Sequence, residues 1–200
     1  MAPKIAIIQY SLYGHVTALS EAVKKGVVAT GATCDIYQTA ENLSDEVLGK
    51  MGAPPKPDYP IITREKMKEY DGFLFGLSGR FGTFPAQMKA FLDSTGSLWE
   101  SGALVGKAAG TFTSVGTMGG GQETVNLTMI PIFAHLGLVF VPLGYVEPKV
   151  FTFDEIHGAS PYGSGTFAGP DGSRSVTDLE KEICESHGKH FATITAKLAA

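Results

Sequence analysis

The sequence predicts an α/β fold: a doubly wound, five-stranded parallel sheet in the order 2-1-3-4-5, built as one domain over residues 1–200. Three observations predict it. Five short apolar runs of strand length alternate with runs of helical period. The chain turns Gly- and hydroxyl-rich just after the first, third and fourth of those runs. No internal repeat or interdomain linker divides it.

Each element follows in order. Lys4 to Tyr10 (KIAIIQY) is the first strand, rich in β-branched residues. A polar loop, SLYGHV, leads into a helix with Val16, Leu19, Val23 and Val27 on one face. Thr33 to Tyr37 is a short second strand. Residues 40–69 are polar and Pro-broken, long enough to be functional or an insertion, with a short helix at Arg64 to Tyr70. Asp71 to Leu77 is the third strand, and Pro85 opens the helix after it. Lys107 to Ser114 is the fourth strand. A helix from Glu123 to about Leu136 must kink or break at Pro131. Leu138 to Leu143 is the fifth strand, and Gly144 to Arg174 has no clear period. The last helix spans Val176 to Leu198, with Thr177 as its cap and Leu179, Ile183, Phe191, Ile194 and Leu198 on the buried side.

Composition narrows the function. A net charge of −4 without a basic run speaks against nucleic acid as a partner. No apolar stretch reaches the roughly 18 residues of a membrane span. MAPKIAII carries no signal-peptide pattern, and Cys34 and Cys184 form no metal or redox spacing. A cytoplasmic protein with reduced thiols is expected. Cys184, His187 and His190 spread over roughly 120° of helix surface, too wide for one ion, so no metal is expected. Asp45, Glu46, Glu180 and Glu182 read as solvated faces.

In a parallel sheet three loops meet at one edge: 11–16, 78–82 and 114–123. The first joins a strand to a helix N-terminus, where free N–H groups and the helix dipole attract anions. It holds Ser11 and Gly14 but no Lys or Arg, which suits a phosphate monoester held by neutral donors. The alternative is a plain βα turn with Ser and Thr as caps. The second loop offers Phe81 and the third a glycine run that admits a flat ligand. A phosphate at one end and a planar ring at the other is the shape of FMN. G-x-x-x-x-G-K-[ST] is absent, and GSGTFAG at 163–169 opens no helix, so it reads as a loop.

SLYGHV, RFGTFPAQ, LWESGAL, TSVGTMGGGQE, FAHLGLVFVPLGY and PYGSGTFAGPDGSR, in that order, resemble the WrbA family across essentially the whole chain. The FPAQ and VPLGYVEP blocks and Met118 resemble its yeast and mould branch. The resemblance implies a flavodoxin-like fold and FMN-dependent reduction of quinones by NAD(P)H, protective against quinone stress. It implies a homotetramer, a dimer of dimers. It places the FMN phosphate and ribityl chain on Ser11, Leu12, Tyr13, Gly14, His15 and Val16, and the ring near Gly79, Arg80 and Phe81. A second ring-and-ribityl loop is implied at Ser114, Val115, Gly116, Thr117, Met118, Gly119 and Gly120. His135 would reach the flavin from a neighbouring subunit as the catalytic imidazole, Tyr13 would touch nicotinamide, and Trp99 would wall the quinone pocket.

Two positions depart from the family. Ser78-Gly79 stands where Pro-Thr is usual, and Leu136 where a second histidine is common. The first departure motivates a second reading, a flavin-binding regulatory or scaffold protein with little turnover. A one-electron carrier is a third, disfavoured by the modest acidity. Without the resemblance, His135 reads as a core or interface histidine and Trp99 as core packing.

Overall fold

A computed structural model describes residues 2–200. The chain runs β1 (Lys4–Gln9), α1 (His15–Val28), β2 (Thr33–Gln38), α2 (Asp45–Lys50), α3 (Arg64–Met67) and β3 (Gly72–Ser78). It continues α4 (Ala86–Asp93), α5 (Gly96–Glu100), β4 (Ala108–Val115), α6 (Gln122–Leu127) and α7 (Ile130–Leu136). It closes with β5 (Val139–Phe140), a 3₁₀ turn (Pro148–Phe151), β6 (Gly165–Phe167) and α8 (Asp178–Leu198).

The sheet is parallel, in the order β2-β1-β3-β4-β5, as the sequence predicts. β3 and β4 are buried along their whole length, as central strands covered on both faces must be. Side chains alternate between two cores. Ile5 and Ile7 join α1 and α8 on one face, and Ala6 and Ile8 join Phe73, Phe75 and Phe133 on the other.

The fifth strand is a correction. Instead of Leu138 to Leu143, only Val139–Phe140 pairs with the start of β4. Pro142 has no N–H for the ladder, so the chain leaves the sheet there. It returns as β6, which lies beside the end of β4, from Thr113 to Val115. The fifth position is thus filled twice by separate pieces. The helix around Pro131 breaks into α6 and α7, with the proline in the first turn of α7.

α8 brings a second correction. Leu179 and Ile194 are half-buried and Leu198 is exposed, while Cys184, His187, Gly188, Ala192 and Thr195 join Ile183 and Phe191 inside. Glu180, expected in solvent, is completely buried. It forms a capping box with Thr177 and an ion pair with Arg174, and those partners replace its lost hydration. α1 and α8 pack backbone to backbone. A Cβ on Gly26 would lie 1.9 Å from the Glu185 carbonyl oxygen, and one on Gly188 would lie 2.1 Å from that of Val23.

Candidate functional site

A cleft of about 510 Å³ opens at the carboxyl ends of β1, β3 and β4. That volume lies within the usual range for small-molecule and cofactor sites. The loops at 11–16, 78–80 and 114–116 line it, as the sequence predicts, and a fourth segment, Ala168 to Gly172, completes it.

The first loop is a donor cradle. Among the described residues, the N–H groups of Ser11, Leu12, Tyr13, His15, Val16 and Thr17 have no acceptor. Gly14 caps α1 at φ 91°, and its own N–H donates to Ser11 Oγ at 3.1 Å. No acidic residue stands in the first turn of α1. Open space surrounds a Cβ built on Gly14, so the position needs glycine for its left-handed backbone rather than for clearance. Tyr13 is half-exposed, and its hydroxyl donates to the Met51 carbonyl at 3.3 Å, tying the cradle to the 40–69 segment.

A polar hub fixes this loop from behind. The buried Tyr10 hydroxyl donates to Glu41, which also accepts from Lys56, from Gln87 Nε2 at 2.7 Å and from the Asn42 and Leu43 N–H groups. Burial alone would raise the Glu41 pKa, but these hydrogen bonds, led by Lys56 and Gln87, outweigh it and hold the carboxyl at about 2. Burial first, and Glu41 next, push the Tyr10 phenol far above its ordinary value. The hub therefore keeps a fixed charge near neutrality while it joins β1, the insertion and α4.

The second loop is a tight turn. Arg80 and Thr83 exchange backbone hydrogen bonds of 2.7 and 3.0 Å around Phe81 (φ 50°) and Gly82 (φ 79°). Two successive positive φ values are those of a type I′ turn. Phe81 is the only described non-glycine residue with positive φ and is fully exposed at the tip, outside the cleft wall. Gly79 has a packing reason: a Cβ there would meet Val115 Cγ1 at 2.6 Å and Val125 Cγ2 at 3.1 Å. This chain's own valines fill the space where the resemblance leads one to expect threonine.

Ser114, Val115 and Gly116 line the cleft, while Thr117, Met118, Gly119 and Gly120 continue outward as an exposed rim. His135 and Trp99 lie elsewhere. His135 is exposed at the end of α7, next to Gly137, whose carbonyl accepts from Gly106 just before β4 begins. The cleft sits at the other end of β4, about 20 Å away at a rise of ~3.3 Å per residue. Trp99 is exposed on α5, which packs against α7. Neither side chain lines the cleft of its own chain.

The fourth wall has no counterpart among the sequence expectations, though its signals are present. GPDG at 169–172 is a turn sequence, and Thr177-x-x-Glu180 is a capping box that anchors the next helix.

The family model for NADPH-dependent FMN reductase matches residues 3–150. The chain belongs to this family. Among its relatives, the NAD(P)H quinone oxidoreductase PST3 of Candida albicans is 54% identical over 98% of this chain and 100% of its own. Quinone-oxidoreductase QR2 of Triphysaria versicolor is 50% identical over 99% and 98%. A flavodoxin, WrbA-like protein from Agrobacterium tumefaciens has the same fold, with a TM-score of 0.67 at 19% identity over 98% of each chain. Family membership implies a flavin, and the residues fit one. The cradle presents donors without partners among the described residues and no carboxylate in its helix turn, and four segments line the cleft beside it.

Proposed function

We propose that this protein binds FMN in the cleft and transfers two electrons from NAD(P)H to quinones, working as a cytoplasmic homotetramer. The observation that carries this reading is the strand–loop–helix junction at 11–17, where six backbone N–H groups have no acceptor among the described residues and the first turn of α1 carries no acid. The names of the closely similar relatives support the substrates.

FMN supplies the hydride and electron chemistry; the protein supplies binding and orientation. Residues 11–17 hold the phosphate with neutral donors and the helix dipole. Gly79 lets the strand end lie flat against Val115, and the Arg80–Thr83 turn carries Phe81 out over the ring side of the cleft mouth. Gly116 to Gly120 border the ribityl chain and ring edge. Tyr13 meets the nicotinamide. His135 and Trp99 come from a second copy of the chain, His135 to donate a proton to the reduced quinone and Trp99 to wall its pocket. Their placement on neighbouring helices, away from their own cleft, supports an assembled site. So does an exposed apolar stretch in which Tyr145 and Phe151 stack at 4.8 Å beside bare Phe153 and Ile156.

The test is optical. NADH or NADPH should bleach the bound flavin and benzoquinone should restore it, with ping-pong kinetics because both substrates use one exposed face. Trp99→Ala should raise the quinone KM several-fold while sparing FMN affinity. Absence of bleaching by either nucleotide would overturn the activity, and a monomer in light scattering with FMN present would overturn the assembly.

A further inference from the structure

The segment Ala168–Gly172 is tied to β4 only at its start, where Ala168 N–H donates to the Val115 carbonyl at 2.8 Å, and Gly172 N–H donates to the Gly169 carbonyl at 3.1 Å within its own turn. Gly169 and Gly172 both have positive φ, and Pro170 has no N–H. Among the described residues Asp171 accepts only from Ser173, through its N–H at 3.1 Å and its hydroxyl at 2.8 Å. The turn closes on itself when Arg174 N–H donates to the Ala168 carbonyl at 2.9 Å. A loop of this composition would swing about that tie to β4 if nothing fixed its C-terminal base.

Its base is fixed by a buried charge pair. Glu180 is wholly buried and the Arg174 side chain is 26% exposed. Arg174 Nη1 donates to both Glu180 carboxylate oxygens at 3.0 Å and to the Phe167 carbonyl at 2.8 Å, and Nη2 donates to the Ile156 carbonyl at 2.8 Å. Glu180 accepts further from Gly158 N–H at 3.2 Å, Thr166 Oγ1 at 2.8 Å and Thr177 N–H at 3.0 Å. The pair thus ties the segments at 156–158, 166–167 and 177–180 to one point. Buried pairs add little net stability over an apolar filling of the same space, and the contacts of this one fix where three segments meet.

That geometry reaches the cofactor cradle. The Arg174 carbonyl lies 2.9 Å from His15 Nε2, at the first turn of α1. On the other side the Gly169 carbonyl oxygen approaches within 3.8 Å of where a Cβ on Gly116 would stand. The segment spans from the donor cradle to the 114–116 loop, along the tail of the cleft.

We propose that Arg174 and Glu180 are positioning residues that set Ala168–Gly172 as the fourth wall of the flavin site, acting on the phosphoribityl tail rather than on the ring. This rests on the cleft being a flavin site, as proposed above. The test compares wild type with Arg174→Met/Glu180→Gln, which leaves no uncompensated buried charge and keeps an amide at the helix cap. Thermal unfolding verifies that the variant folds. Three probes are titrated: FMN, riboflavin without the phosphate, and lumiflavin without the tail. The double variant should bind FMN about tenfold more weakly, riboflavin less impaired, and lumiflavin unchanged. In ligand-free protein, the hydrogen-bonded amides of Gly172, Ser173 and Arg174 should exchange at least tenfold faster. Arg174→Lys, which keeps the charge but not the fork, should lose less affinity than the double variant. A folded double variant that binds FMN like wild type overturns this inference alone. Equal losses for FMN and lumiflavin overturn it too, since a general structural defect would give them. Wild-type protein that takes up no FMN overturns the proposed function and this inference together.

Discussion

Acid should destabilise this protein through His187, well before its carboxylates titrate. His187 is completely buried on α8, and Ser164 N–H and hydroxyl meet its Nδ1 at 3.4 and 3.0 Å. The N–H donor makes Nδ1 the acceptor, so Nε2 carries the proton and has no partner among the described residues. Burial first, and His190 more weakly, push the imidazole down to about 3. An unfolded chain returns it to an ordinary value of about 6.5. Below that value the unfolded state binds a proton that the native state refuses. The contribution is therefore complete above about pH 6.5 and drains away as pH falls towards 3. At pH 5, about 1.5 units below the reference, the loss is about 2 kcal/mol at ~1.36 kcal/mol per unit, a sizeable part of a typical 5–15. Urea unfolding of ligand-free protein at pH 7 and pH 5 measures it. Wild type should lose about 2 kcal/mol more between the two pH values than His187→Met, whatever the variant's absolute stability. His190, also held down by burial, titrates in both proteins and cancels to first order. Equal losses in the two proteins would refute the reasoning.

Gly188→Ala should cost about 3 kcal/mol or more in urea unfolding, because its Cβ would meet backbone atoms of Val23 and Val27 at 2.1–3.1 Å and neither helix can yield locally. A neutral substitution would mean that the helices are not packed this closely. Gly14→Val should weaken FMN binding about tenfold in a fluorescence titration, through a left-handed backbone that costs ~1–2 kcal/mol with a side chain. Lys4→Ala, remote from the cradle, should bind FMN normally; equal losses in the two variants would reject binding by neutral donors.

Much of the fold was legible because it is written locally. The strand–loop–helix at residues 4–28 shows its apolar period and its unfilled donors within 25 residues, and the sheet order followed from the alternation. β6 was not legible. It is three residues long, begins with a glycine, and pairs only with the end of β4. Glu180 looked solvated because helix-surface glutamates usually are. Its burial depends on Ile156, Gly158, Thr166 and Arg174, which a linear reading leaves scattered. Gly79 looked like a defect in a ligand loop until Val115 and Val125 accounted for it, the latter on a helix 46 residues later in the chain. The three loops of the cleft came from topology and resemblance together. His135 and Trp99 came from resemblance alone, and no contact within one chain connects them to the cleft.

The close packing of α1 on α8, at Gly26 against Glu185 and Gly188 against Val23, also sets a timetable. The helix that carries the donor cradle is made early, but the helix against which it rests begins about 150 residues later. At ~5–20 residues per second, a ribosome leaves α1 without that support for about 8–30 s. During this interval Val23 and Val27 have only part of their apolar cover, and the cradle's donors have no fixed aim. Flavin capture should then be among the last events in the protein's birth. Nascent chains stalled before α8 is made should retain no FMN, and released full-length chains should retain it.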